Sequence, residues 1–212
     1  MVAKLEIESD PRSGFLIAMY NQLLNDINRH IVVVWQSVAT LVAAIASFSL
    51  VEKNIVSAGV ATSIVLLVCF WLIAHVLDAG HWYNRNLVMI ANIERQFLKQ
   101  TDLKEIHAYF SKHRPENKLI SHLRIQLWLG ISVAILFIIF HLQSSIAVKI
   151  SASTELNFTD WLPVGICVAG ICVCLCFKAS LDAKYEEFVK LSPGKEVDGR
   201  GFEFQHGHGG KQ

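Results

Sequence analysis

Residues 166–176 read ICVAGICVCLC and bring four of the five cysteines, Cys167, Cys172, Cys174 and Cys176, within eleven positions. Clustered thiols bind zinc, pair as disulfides or answer oxidants. Zinc sites usually present CxxC pairs on loops, whereas these four are separated by four, one and one residues in an uninterrupted apolar run. In such a run a thiol acts as a small side chain. Gly165–Ala169, Gly170–Cys174 and Cys172–Cys176 follow the small-xxx-small spacing that lets helix backbones approach closely in lipid. Gly165, Ala169, Gly170 and Cys174 are therefore candidate packing residues, with lipidation or redox sensing of the thiols as the alternative chemistry.

The other residues with chemical potential are polar groups in apolar surroundings. Gln36, Thr40 and Ser47 fall on one stripe with Ala43 and Ala44, and His75 and Gln126 lie at comparable depth in two further apolar runs. Polar side chains in lipid must find partners. These five form either an interhelical hydrogen-bond layer or the lining of a pore or vestibule. His75, Asp78, Trp82 and Arg85 recur at i, i+3, i+7 and i+10 and make a membrane-boundary cluster, either an aromatic belt with a solvated ion pair or a pH-sensitive hinge. Arg200 and His206 fit an Arg-x5-His pattern, and His208 follows, but glycines flank them and no preorganised site results. There is no GxSxG, Walker A, HExxH or glycine-rich dinucleotide loop. The expectation is a non-enzymatic protein without cofactor or metal. A net charge of +1 supplies no field for direct nucleic-acid binding.

These residues need elements to hold them. With 53% hydrophobic and 17% charged residues and a mean hydropathy of +0.41, the chain is too apolar for an ordinary soluble domain. Ile31–Val51, Ile55–Leu77, Ile125–Leu142 and Trp161–Phe177 contain no Asp, Glu, Lys or Arg. At about 1.5 Å per residue they reach roughly 25 to 35 Å, against a hydrocarbon core of about 30 Å. This predicts an all-α, polytopic membrane protein with four transmembrane helices. Thirty residues precede the first run, too many for a secretory signal. Segments 1–30, 78–124 and 178–212 hold three, eight and six basic residues, and the two remaining connections hold one each, Lys53 and Lys149. The positive-inside rule puts both termini and the middle segment in the cytoplasm.

The chain then divides into a cytoplasmic amphipathic helix (1–30), a first hairpin (31–77) turning at Glu52-Lys53-Asn54, a cytoplasmic helical segment (78–124), a second hairpin (125–177) with an outer loop over 143–160, and a cytoplasmic helix with a flexible tail (178–212). Asp10-Pro11 reads as a helix start, followed by Leu16, Tyr20, Leu23 and Ile27 at helical spacing. Leu87, Ile90, Ala91, Phe97 and Leu98 extend the second span inward, with Gly80 as a kink point. Asp102 and Glu105 open a short helix to about His113, with Pro115 beyond it. Phe177, Leu181, Tyr185 and Phe188 extend the fourth span, and composition turns glycine-rich and polar from Pro193.

A short hairpin of spans, an amphipathic helix before it and a helix carrying Asn86-Leu87 and Ile93-Glu94 after it resemble, over residues 14–115, the SLATT-type membrane modules of prokaryotic conflict systems. The second pair of spans departs from that two-span pattern and resembles the four-span membrane subunits of phage-defence systems such as Kiwa. The resemblance implies a homo-oligomeric component of the bacterial inner membrane, working with a cytoplasmic protein partner as sensor or pore-forming effector in antiphage defence. The alternative is a non-conducting scaffold or immunity-type protein that anchors a partner in the bilayer.

Overall fold

The structure, a computed structural model, describes residues 10–97 and 116–192. Helix α1 spans Pro11–Ala46 as one rod of 36 residues. It begins where expected. The Asp10 carboxylate accepts the backbone N–H groups of Arg12 (3.4 Å) and Ser13 (3.3 Å), and Pro11 enters with its φ already helical. It stops earlier than the apolar run does. The Ser47 hydroxyl donates to the Ala44 carbonyl at 2.6 Å, competing with the helical ladder, and the chain restarts as the single turn α2 (Ser49–Glu52). The three-residue hairpin expected at Glu52-Lys53-Asn54 is thus part of a longer connection over 47–57.

Helix α3 (Ala58–Phe97, 40 residues) follows, then α4 (Ser121–His141), a wider π turn (Leu142–Ala147), the short α5 (Val148–Ser151) and α6 (Phe158–Leu191). The expected outer loop over 143–160 is therefore corrected, because it is helical to Ser151 and only 152–157 lies outside helix. Gln143, Ser144 and Ser145 are polar without breaking the helix. The π turn bonds i to i+5, which lets His141 and Ile146, five residues apart, both be buried.

Both hairpin turns leave their helices in the same way. Asn54 (φ 56°) and Ser153 (φ 53°) occupy the left-handed region. The next N–H, of Ile55 or Thr154, reaches back to Leu50 O (3.0 Å) or Lys149 O (2.9 Å), and those of Asn54 and Ser153 reach Val51 O (2.9 Å) and Ile150 O (3.1 Å). This is the Schellman closure of a helix end.

Every described helix of length packs on α3. Half of its most apolar stretch is buried, against 22% in α1, 22% in α4 and 11% in α6. One core joins Val34 and Leu41 to Val65, Leu66, Leu72 and Val76, with Leu123 and Ala134 from α4. A second joins Leu23 and Ile27 of α1 to Leu87, Ile90 and Ile93 of α3, flanked by Leu16 and Tyr20. The amphipathic segment thus docks on the extension of α3 and does not stand apart. Helix α3 runs through Gly80 without interruption. The glycine instead makes room for Leu119, whose Cδ2 would lie 2.2 Å from an added Cβ.

The helices alternate in direction. Tyr20 beside Glu94, Asn92 beside Ser192 (3.2 Å) and Asn84 beside Asn117 (3.0 Å) gather the start of α1, the end of α3, the start of α4 and the end of α6 at one end. That end holds Arg12, Arg29, Arg85, Arg95, Lys118, Arg124, Lys178, Lys184 and Lys190, and the opposite end holds Lys53 and Lys149. We call them the basic and the opposite end. Four of the helices are long and apolar enough to cross a membrane. The helix expected from Asp102 to His113 and the tail with Arg200, His206 and His208 lie outside the described residues.

Candidate functional site

Gln36 and Thr40 of α1 point away from the core. Its inward face carries Val34, Ser37, Leu41 and Ala44. Gln36, Thr40 and Ala43 sit one residue, or about 100°, round the helix, and all three are exposed, with Ser47 half-buried beyond them. Thr40 Oγ1 donates to the Gln36 carbonyl at 3.1 Å, while the Gln36 amide has no hydrogen-bond partner among the described residues. His75, half-buried on α3, stands edge-on to Trp71 with ring centroids 4.5 Å apart. Gln126 is buried, and neither atom of its amide group is paired among the described residues. The five residues expected to form one layer are thus distributed. Gln36 and Thr40 face outward, His75 is half-buried on the side of α3, Gln126 is inside, and Ser47 marks the break at the opposite end.

The boundary cluster is a layered stack. His30 of α1 lies parallel to Trp82 (6.0 Å, 10°), the Arg85 guanidinium sits 4.9 Å above the Trp82 ring, and the same guanidinium is 5.4 Å from the Phe188 ring of α6. One cation between two aromatic faces thereby joins α1, α3 and α6. Asp78 is half-buried at the same level and its charge reaches His30. Trp82 and Arg85 were visible in the sequence as neighbours on one helix face. His30 and Phe188 were not, since their approach depends on how three helices register.

A second junction had no signal except asparagines in an apolar helix. Asn84, fully buried, donates to Asn117 Oδ1 and to the Lys118 carbonyl, both at 3.0 Å. Asn117 donates to Asp182 (3.2 Å), which also accepts from Lys178. Deeper in the basic end, the Tyr20 hydroxyl donates to Glu94 Oε1 at 3.3 Å. Burial pushes the Glu94 carboxyl up to about 7, against the opposing pull of Tyr20 and Arg95.

At the opposite end, the Lys149 ammonium donates to both Asp160 carboxylate oxygens, at 2.9 and 2.7 Å, and the Asn157 N–H donates to the same carboxylate (2.7 Å). These bonds hold the Asp160 carboxyl below its ordinary range. His141 Nε2 lies 2.8 Å from the Asp160 carbonyl, so that nitrogen carries the hydrogen. Gly59 approaches the Thr159 carbonyl so closely that an added Cβ would be 2.3 Å from its oxygen.

The small residues of α6 divide between two faces. Gly170 lies against the Phe70 ring, 2.3 Å from where its Cβ would be, and Cys174 Sγ approaches the Phe70 carbonyl at 3.7 Å. Gly165 and Ala169 do not take part in this packing, since both are exposed and nothing lies within 4 Å of a Cβ at Gly165. They begin an outward seam that continues through Cys172, Cys176, Ala179 and Ala183 at alternating spacings of three and four. Cys167 and Cys174 are half-buried, and all five cysteines are unpaired. No protein-family model, curated protein or solved structure matches the chain.

Proposed function

We propose that this chain is a multi-pass protein of the bacterial inner membrane that works as a homo-oligomer, a sensor or pore-forming effector of antiphage defence coupled to a cytoplasmic protein partner. The outward polar stripe of α1 carries the oligomeric part of this reading. A glutamine amide without a hydrogen-bond partner among the described residues lies with Thr40 on the outer surface of a rod whose other outward residues include Val32, Val42 and Ile45. Hydrocarbon does not satisfy such an amide, whereas a neighbouring copy or a water-filled axis does. The outward seam of small residues on α6, the least buried of the four long helices, supplies a second face suited to close helix approach. The concentration of basic residues at the end holding the start of α1 and the end of α6 supports cytoplasmic termini. The defence role rests on the architectural resemblance alone.

The test is a pair of measurements on the full chain. Gln36→Leu with Thr40→Val should lower the subunit number in mild detergent and abolish depolarisation of expressing cells. An unchanged oligomer and unchanged membrane potential would remove the pore. A non-conducting scaffold is favoured by Phe15 and Ile17, apolar and exposed near the start of α1, outside the charge-free runs. In that case Phe15→Asp with Ile17→Asp should abolish partner recovery, and the Gln36 and Thr40 changes should be silent.

A further inference from the structure

We propose that the cleft between α4 and α6 is a binding site for one anionic phospholipid, with its phosphate at the basic end. The assignment rests on the reading of the chain as a membrane protein. Helices α4 and α6 both pack on α3 but touch each other only sparsely. The gap is a cleft of about 640 Å³, floored by Phe70 and Ile73 and reaching Ile138 and Cys167 at its far end. From Arg124 to Ile138 it follows α4 for about 21 Å at the helical rise, somewhat more than the ~15 Å half-thickness of a bilayer core.

The lining is polar at one end only. Lys118, Arg124, Lys178, Asp182 and Asn117 cluster there, and beyond Arg124 every lining residue on α4 is apolar. Asp182 already accepts from Lys178 and Asn117, and Lys118 pairs with Glu116. Arg124 reaches only the Leu119 carbonyl (3.2 Å) and has no carboxylate partner among the described residues. Three cations against two carboxylates, Asp182 and Glu116, leave the mouth with one net positive charge among the described residues, that of Arg124. A guanidinium without a carboxylate is suited to a phosphodiester, which it grips through two N–H groups. Helix α4 also starts at this mouth without a side-chain cap, so its first N–H groups add to the attraction for an anion. A peptide strand would find almost no hydrogen-bonding groups along the apolar wall. An amphiphile with one anionic head and a long tail matches both the charge distribution and the length.

The experiment uses the full chain, extracted from membranes in mild detergent and observed by native mass spectrometry while phosphatidylglycerol or phosphatidylcholine of identical acyl chains is added. Phosphatidylglycerol should bind as a single retained adduct in preference to phosphatidylcholine. Arg124→Gln should lower its occupancy about fivefold, as should Lys118→Gln, the effect of one cation at a charged lipid surface. Ile171→Trp should exclude it by filling the cleft, and Lys53→Gln at the opposite end should leave it unchanged. Equal retention of the two lipids, or indifference to both Arg124→Gln and Ile171→Trp, overturns the site while leaving the membrane reading intact. Crosslinks between copies through cysteines placed at Ile135 and Leu175 would show a second chain in the cleft and also overturn it. A chain that stays dissolved without detergent overturns the membrane reading, and the lipid site with it.

Discussion

The Tyr20 hydroxyl and the Glu94 carboxylate, 74 residues apart in sequence, meet at 3.3 Å where the start of α1 lies on the end of α3. Around them the apolar contacts of Leu23, Ile27, Leu87, Ile90 and Ile93 exclude water. The carboxyl is consequently easier to keep neutral than charged, and its pKa rises from 4.5 to about 7. A raised native pKa means that the folded state holds the proton more tightly than the unfolded chain. The associated stabilisation is fully present below pH 4.5 and is lost as pH rises through about 7. Thermal unfolding of the detergent-solubilised protein should therefore occur at lower temperature at pH 8 than at pH 5.5. Other groups titrate in this interval, so the decisive quantity is the difference from Glu94→Gln, which should show a flatter pH profile. Coincident profiles for the two proteins would refute the assignment. Tyr20→Phe should cost about 1 kcal/mol.

The Trp82–Arg85–Phe188 stack makes a prediction that charge alone does not. If Arg85 acted only as a cation near a membrane surface, Arg85→Lys would be nearly silent. A planar guanidinium between two rings at 4.9 and 5.4 Å has geometry that an ammonium cannot reproduce. Arg85→Lys should lose about 1 kcal/mol, and Arg85→Ala about 2. A double-mutant cycle with Phe188→Leu should return a non-zero coupling, read from the unfolding midpoints. Additive effects would mean that the ring and the cation do not interact.

What the sequence disclosed and what it hid follow one division. The four apolar rods were legible because an uncharged run of 17 residues or more has few other places to go, and the start of α1 was legible because Asp10-Pro11 acts through its immediate neighbours. Local polarity misled at residues 143–151, where Gln143, Ser144 and Ser145 resemble a loop but the chain winds on to bring Lys149 to Asp160. Gly80 likewise resembles a kink point in sequence, though its value is the space it leaves for Leu119. That Gln36 faces outward while Ser37 faces inward was undecidable from spacing, since neighbouring residues on a helix differ only in which side meets α3. The contacts of His30, Asn84, His141 and Phe188 are illegible for a related reason. Their partners lie on other helices, and one sequence read alone carries no register between them.

Glycines on α3 and α6 should respond in opposite ways to the same methyl group. Gly59→Ala drives a Cβ to within 2.3 Å of a backbone oxygen, at Thr159, with no side chain free to yield. It should cost about 1–3 kcal/mol and loosen the opposite end. Gly165→Ala meets open space and should stabilise the isolated chain by about 1 kcal/mol through helix propensity. Gly165→Leu should leave the subunit folded yet lower the oligomer if the α6 seam is an interface between copies. Sizing in detergent beside circular dichroism separates these outcomes, and an unaltered oligomer in Gly165→Leu would exclude that seam.

Lys149 and Asp160 provide the final test because their pair secures the connection that the sequence presented as a loop. The carboxylate takes three hydrogen bonds, two from Lys149 and one from the Asn157 N–H, and its pKa is depressed from an ordinary value of 3.8 chiefly by the lysine and next by that backbone group. A depressed native pKa places the stabilisation above the unfolded value, with loss as pH falls through the native one. Neutral pH thus retains all of it, and the loss is confined to acid below about 3.8. Lys149→Met should remove about 2 kcal/mol at pH 7, since it leaves a nearly buried carboxylate with only one donor. Asp160→Asn should be milder at the carboxylate but leave the ammonium without its partner. The most direct readout is backbone amide exchange over 149–160, where Thr154 and Asn157 should lose protection in both variants while Glu94 and its neighbours keep theirs. Protection unchanged in Lys149→Met would mean that helical winding alone, and not the ion pair, holds residues 142–151 against the rest of the bundle.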